Sequence, residues 1–376
     1  MNIQSEILKK ADIVSLKLRQ LYEQSGYVKY RMNQFEEYGF YLENKNFLGN
    51  GSYITFTDKG GRLMALKPDV TLSIVKNVKN DVKDSQRLYY VENIYRMIKK
   101  DGEYREISQT GLEFIGEIDI IKTVEVLMLA IKSLEIIDKS FVLTVSHMGI
   151  ISGLMESIDA DYTVKEKILD CIKRKSPHDA ARVCEENGID EATQKRIEGI
   201  IAAGGKLGGA AKALKEISCN DEMLGAAEEL AMVAEFFENS EYKERVVLDF
   251  DTISDTQYYN GIMFCGYIEG VAASALVGGR YDNLLKKMGK ENLQAMGFAI
   301  NFYELDRFLK ENGGNSVDTV ILYDDKSAAF EVMKAVENRR NSGLKVIAEK
   351  ALPENVKYET VIDLRGNKGE GAKENA

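Results

Sequence analysis

Two long β-prone runs joined by a short charged turn constrain this chain more than any other feature. Residues 86–98 (QRLYYVENIYRMI) and 104–118 (YREISQTGLEFIGEI) are rich in aromatic and branched side chains, and the KKDGE between them favours chain reversal. A hairpin alone is marginal in water; it needs further strands and a helical cover to bury its faces. Both are present. Strand candidates stand at 140–146, 245–251, 259–270 and 272–278, and MGFAINFYELDRFLK (296–310) reads as a strand running into a helix. Ile7, Leu8, Ala11, Val14, Leu16, Leu18 and Leu21 recur near a helical period in 5–25, which Gly26 stops. Residues 120–135 form another helix candidate, NLLKKMG a short one. From Tyr27 to Thr71, short apolar and aromatic runs broken by GNG (49–51) and DKGG (58–61) read as strands and hairpins.

Composition changes near residue 155. From there to about 240 the chain is rich in Ala, Glu, Lys and Leu at helical spacing, which marks a helical insertion. Its GIIAAGGKLGGAAKAL (199–214) reads as a tight turn between helices, with a partner contact as the alternative. The expected organisation is a core of 1–154 and 241–312, the insertion at 155–240, a small α/β unit at 317–365, and a disordered polar tail at 366–376. The fold class is α+β: an antiparallel sheet with flanking helices, a helical insertion and a short C-terminal α/β unit.

The inventory excludes several chemistries. Two histidines (His147 and His178) and four scattered cysteines (Cys171, Cys184, Cys219 and Cys265) leave no His-ligated zinc, no His-based triad and no CxxC pair. The thiols read as reduced and cytoplasmic, and no cofactor or metal is expected. Net charge is −10 with no basic stripe, which speaks against a nucleic-acid partner. No apolar run has the ~18 residues of a membrane span, and the polar N-terminus carries no export signal.

Six segments, collinear over roughly residues 5–310, resemble the class II aminoacyl-tRNA synthetase core, and within it the histidyl-tRNA synthetases. GYVKYRMNQFE (26–36) is similar to the first class motif and ALKPDVT (65–71) to L-R-P-E-x-T. Residues 87–116 resemble the second motif, and TQYYNGIMFCGYI (256–268) the histidine-specific L-D-Y-Y segment. ALVGGRYDNLL (275–285) and AMGFAINFYELDRF (295–308) resemble the glycine-rich turn and third motif. The resemblance implies a histidine pocket. Asp69, Thr71 and Gln109 would receive the ammonium, Glu113 and Tyr258 the imidazole, with Tyr259 beside them and Tyr281 as a wall.

The ATP half of the pattern is broken. In the third motif G-L-E-R is replaced by Asn301, Phe302, Tyr303 and Glu304, so a carboxylate stands where arginine would clamp phosphate. Ser254 takes the place of the histidine-specific arginine, and Ile98 that of the glutamate in F-R-x-E, whose Arg96 remains as a residual nucleotide-pocket cation. Asn33 replaces the proline of the first motif. Adenylation needs positioned cations against the triphosphate, so no catalytic residue is assigned. The resemblance then implies a regulatory subunit of ATP phosphoribosyltransferase, a synthetase paralogue without the synthetase's chemistry. It would partner the short-form catalytic subunit in the first step of L-histidine biosynthesis, take L-histidine as feedback effector, and self-associate as a dimer. A divergent histidyl-tRNA synthetase and a synthetase-like module for another partner are the alternatives. The shortened C-terminal unit weakens the case for tRNA reading.

Overall fold

The computed structural model describes residues 9–48, 53–78, 85–98, 102–251, 258–309 and 316–366. The chain divides into two compact units, Met1–Leu309 and Lys310–Ala376.

In the first unit α1 (Lys10–Gln24) buries Val14, Leu18 and Tyr22. It ends where Gly26 adopts φ +82°, a conformation costly for other residues. Then come β1 (Val28–Lys29), β2 (Phe35–Glu37), α2 (Tyr38–Glu43), α3 (Lys45–Leu48), β3 (Thr55–Thr57) and β4 (Leu63–Leu66). β2, β4 and β3 make a small antiparallel sheet whose β3–β4 turn is held by Asp58, accepting from the Gly60 and Arg62 amides at 2.8 and 2.9 Å. The sequence suggested only strands and hairpins over 27–71; residues 38–48 are helical instead. Tyr38, Phe40 and Tyr41 favour strands locally, but Tyr41 is fully buried, packed against Phe40 and stacked 6.0 Å from Tyr53, so tertiary packing overrides propensity. The GNG turn lies outside the described residues.

After α4 (Thr71–Asn77), the long pair β5 (Gln86–Met97) and β6 (Tyr104–Gly116) is antiparallel, as the two runs predict; part of its KKDGE turn lies outside the described residues. The chain continues through α5 (Ile120–Ile137), β7 (Phe141–His147), α6 (Met148–Ser157), α7 (Tyr162–Lys173), α8 (Pro177–Glu186) and α9 (Glu191–Ala202). It goes on through β8 (Gly205–Lys206), α10 (Leu207–Ile217), α11 (Asp221–Glu238), β9 (Val246–Leu248), β10 (Ile262–Ile268), β11 (Leu276–Arg280), α12 (Asp282–Lys287), β12 (Gln294–Asn301) and α13 (Phe302–Leu309). Side-chain caps start several helices: Asp119 for α5, Asp190 for α9 and Asn220 for α11 each accept an amide of the first turn. The glycine-rich 199–214 stretch does turn between α9 and α10, and adds the two-residue β8 to the sheet edge beside β9.

Nine strands order as β1-β5-β6-β12-β11-β10-β7-β9-β8. Neighbours from β5 to β7 are antiparallel, as is the edge pair β9 with β8, while β1 with β5 and β7 with β9 pair in parallel, so the sheet is mixed around an antiparallel centre. Strand alternation separates two cores. One face carries Leu112, Phe114 and Phe298 into a cluster continuous with α1, α5 and the helices of 148–238. The other carries Tyr90, Ile94, Ile107 and Ile115 into a second cluster with Tyr41, α4 and α12.

In the second unit β13 (Ser316–Leu322), α14 (Ala329–Asn341), β14 (Val346–Glu349) and β15 (Lys357–Asp363) form a three-stranded parallel sheet of order β14-β13-β15. α14 covers it through Val332 and Val336 against Ile321, Val346 and Ile362. Most of the tail expected to be disordered lies outside the described residues.

Candidate functional site

Alternation along two neighbouring strands builds the floor of a pocket. Gln109 and Glu113 of β6 lie opposite Asn301 and Gly297 of β12. That juxtaposition demands glycine, since a Cβ on Gly297 would sit 1.8 Å from Glu113 Oε2 and 2.3 Å from the Leu112 carbonyl oxygen. Two short helices then supply hydroxyls. Thr71, the first residue of α4, donates to Glu113 Oε1 at 2.7 Å; Tyr281, the N-cap of α12, donates to Oε2 at 2.6 Å.

Glu113 is 2% exposed, and this burial pushes its carboxyl up to about 8 even though both hydroxyls favour the charged form. Asp69 is held differently. Its Oδ1 accepts the Leu72 amide at 2.9 Å and its Oδ2 accepts Arg96 Nη2 at 3.0 Å, while Arg96 Nε donates to the Pro68 carbonyl at 2.6 Å. The aromatic wall is Tyr258 against Tyr259 (ring centroids 4.6 Å), Tyr281 (5.9 Å) and Phe47 (6.1 Å). Burial raises all three phenols above their usual range, so they act as neutral hydroxyls. Behind Tyr281, the buried Asp282 accepts from Arg280 Nε (2.8 Å), Asn260 Nδ2 (3.3 Å) and the Ala295 amide (3.0 Å), fixing the turn that presents the tyrosine.

Asp69, Thr71, Gln109, Glu113, Tyr258, Tyr259, Tyr281 and Arg96 all line one cavity of about 450 Å³, a size typical of small-molecule sites. Asn301 and Glu304 line it too, whereas Ser254 lies outside the described residues. Arg96 is the one cation among the described residues that line it, alongside the carboxyls of Asp69, Glu113 and Glu304. Arg105, opposite Arg96 in the strand register, lies over the Tyr303 ring at 5.5 Å and pairs with Glu103 at 3.2 Å; it is not part of the lining.

Sequence reasoning missed Tyr90, Phe47, Gly297 and the small residues Ala273 to Ala275. Tyr90 had a usable signal, because period two along β5 puts it opposite Gly111. Phe47 had none, since it rides on a helix that the local sequence does not announce. Among the described residues no group of three or more His, Cys, Asp or Glu side chains could hold a metal ion, and no helix is long and apolar enough to cross a membrane.

The histidyl-tRNA synthetase family model matches residues 4–305. The chain belongs to the histidyl-tRNA synthetase family. Within that family, an ATP phosphoribosyltransferase regulatory subunit from Clostridium kluyveri is 30% identical over 350 residues, covering 90% of this chain and 88% of the relative. A solved structure from Bacillus halodurans, described as an ATP phosphoribosyltransferase regulatory subunit/histidyl-tRNA synthetase, superposes with TM-score 0.74 at 20% identity, covering 95% of this chain and 94% of that one. A chain of the ATP phosphoribosyl transferase (HisG:HisZ) complex from Thermotoga maritima superposes with TM-score 0.60 at 18% identity, covering 77% and 96%. These structural likenesses establish the shared fold, the synthetase-like α+β architecture expected from the six motifs.

Proposed function

We propose that this chain is the regulatory subunit of an ATP phosphoribosyltransferase, with the chemistry in a separate short-form catalytic subunit, and that L-histidine is the effector held at Glu113. The charge of the cavity carries this reading. Its inner end offers a buried carboxyl, hydroxyls and an aromatic wall, which suit an imidazole; Asp69 and Gln109 suit an ammonium. Its outer end offers a triphosphate only Arg96, already engaged by Asp69 and Pro68, and opposes it with Glu304. Adenylation would require cations where this cavity has a carboxylate. Binding without turnover is what a feedback sensor requires. The name of the Clostridium kluyveri relative points the same way, and the Thermotoga maritima structure is of a two-component complex.

In this reading the protein acts in the cytoplasm, in the first step of L-histidine biosynthesis, self-associated as a dimer and assembled with the catalytic chains. Inhibition is a coupling free energy of typically ~1–3 kcal/mol between the histidine pocket and the partner's active site. The test mixes the purified chain with a short-form catalytic subunit and follows phosphoribosyl transfer to ATP. Activity should depend on this chain and fall on adding histidine, with no histidine-dependent ATP–pyrophosphate exchange by this chain alone. Robust exchange would instead make it a working synthetase.

A further inference from the structure

The two helices that grip Glu113 are also joined at their other ends. α4 starts at Thr71 and α12 follows Tyr281, so each brings one hydroxyl to the same carboxyl. Beyond the end of α12 the chain turns at Gly289, and the Lys290 amide donates to the Leu285 carbonyl at 2.9 Å. The Lys290 side chain then crosses to the C-terminal end of α4. Its ammonium donates to the carbonyls of Val75 and Val78, and to that of Lys76 at 3.2 Å. These are carbonyls that a helix end leaves without intrahelical donors, and a cation there also complements the helix dipole. Between the two fastened ends lies a packed apolar layer of Leu72, Ile74, Val75, Leu284, Leu285 and Leu293.

We infer that Lys290 is a positioning residue for the effector pocket: by tying the end of α12 to the end of α4 it sets the spacing of the Thr71 and Tyr281 hydroxyls on Glu113. Lys290 is 8% exposed and does not line the cavity, so it acts through the helices rather than on a ligand. A buried lysine is costly to desolvate, and Lys290 meets three backbone carbonyls rather than a carboxylate. An apolar side chain here would leave those carbonyls without their donor. A lysine reaching across two helices adds a fixed distance between them, which an apolar side chain does not.

The inference rests on the histidine reading, and one experiment separates the two. Histidine is titrated calorimetrically into wild type, Lys290→Met and Lys290→Arg, with the thermal midpoint of each measured without ligand. Wild type should bind; Lys290→Met should bind roughly tenfold or more weakly, as small displacements of a gripping group cost. Lys290→Arg, which keeps the charge and the donors, should recover most of the affinity. A purely structural lysine would lower the midpoint of Lys290→Met and leave its affinity for histidine unchanged, which would overturn the inference. No binding by wild type would remove the histidine reading and the inference with it. If Lys290→Met is obtained unfolded, Lys290→Gln, with two donors, should show an intermediate loss, and wild-type affinity in that folded variant would equally refute the role. In a double-mutant cycle, Lys290→Gln and Thr71→Val should be non-additive, because both act on the same carboxyl.

Discussion

The two ends of the cavity are built by opposite means. At the inner end Glu113 is sealed, with a hydroxyl on each oxygen and a glycine beneath it that no other residue could replace without a shift. At the outer end Arg96 is 44% exposed, Asp69 is already its partner, and Glu304 stands on a helix whose first turn follows β12 directly. The inner end is therefore pre-organised and nearly neutral, the outer end open and short of positive charge. On the reading proposed above, one fold keeps recognition of a small ligand without the electrostatics of nucleotide chemistry, because the two depend on different elements.

The sharpest way to break this contrast is at the sealed end. Glu113→Ala should weaken histidine binding roughly 10- to 100-fold, since a hydrogen bond to a charged ligand group is worth ~1.5–3 kcal/mol and the alanine can make none. Calorimetry checks it, and unaltered affinity would place the ligand elsewhere. Gly297→Ala should come next. The added methyl collides with Glu113 Oε2 and the Leu112 carbonyl, so unfolding should be easier by about 1–3 kcal/mol and histidine binding weaker. Denaturant titration reads the first effect. A variant as stable as wild type would mean that β6 and β12 are not held at this spacing.

At the open end, Glu304→Arg should raise ATP affinity roughly tenfold, about 1.4 kcal/mol, by restoring a cation to the outer pocket. Equilibrium dialysis with labelled ATP measures it, and an unchanged affinity would show that charge there is not what excludes nucleotide. A separate effect is on pH dependence. Because burial raises the Glu113 carboxyl to about 8 from an ordinary 4.5, the folded state holds a proton that the unfolded chain has released between those values. Stability from this group is thus full below the ordinary carboxylate range and lost as pH climbs towards 8. Glu113→Gln has no such proton, so its thermal midpoint should gain steadily on wild type as pH rises through that window. Parallel pH profiles for the two proteins would argue against a buried, protonated Glu113.

The hairpin of β5 and β6 was legible because its turn chemistry and strand composition agree, and the helices of 155–240 because their apolar spacing is regular. The eight site residues were legible through motif resemblance, which places residue types in order along the chain. The edges of the sheet were not: β1 and β9 are too short to carry a pairing signal, and their parallel pairing is a long-range choice. The helices at 38–48 were hidden for a related reason, since aromatic residues there are selected for a buried cluster rather than for local conformation.

By itself, then, the sequence determined the α+β class, eight of the residues that line the cavity and the charge change at Glu304. Only the tertiary structure decided that Arg96 is spent on Asp69, that Gly297 makes room for Glu113, and that Lys290 fastens two helices from more than two hundred residues away. The physical reason is range. Propensity and periodicity act between near neighbours, whereas a salt bridge, a clash or a buried ammonium depends on which distant strands and helices the chain brings together.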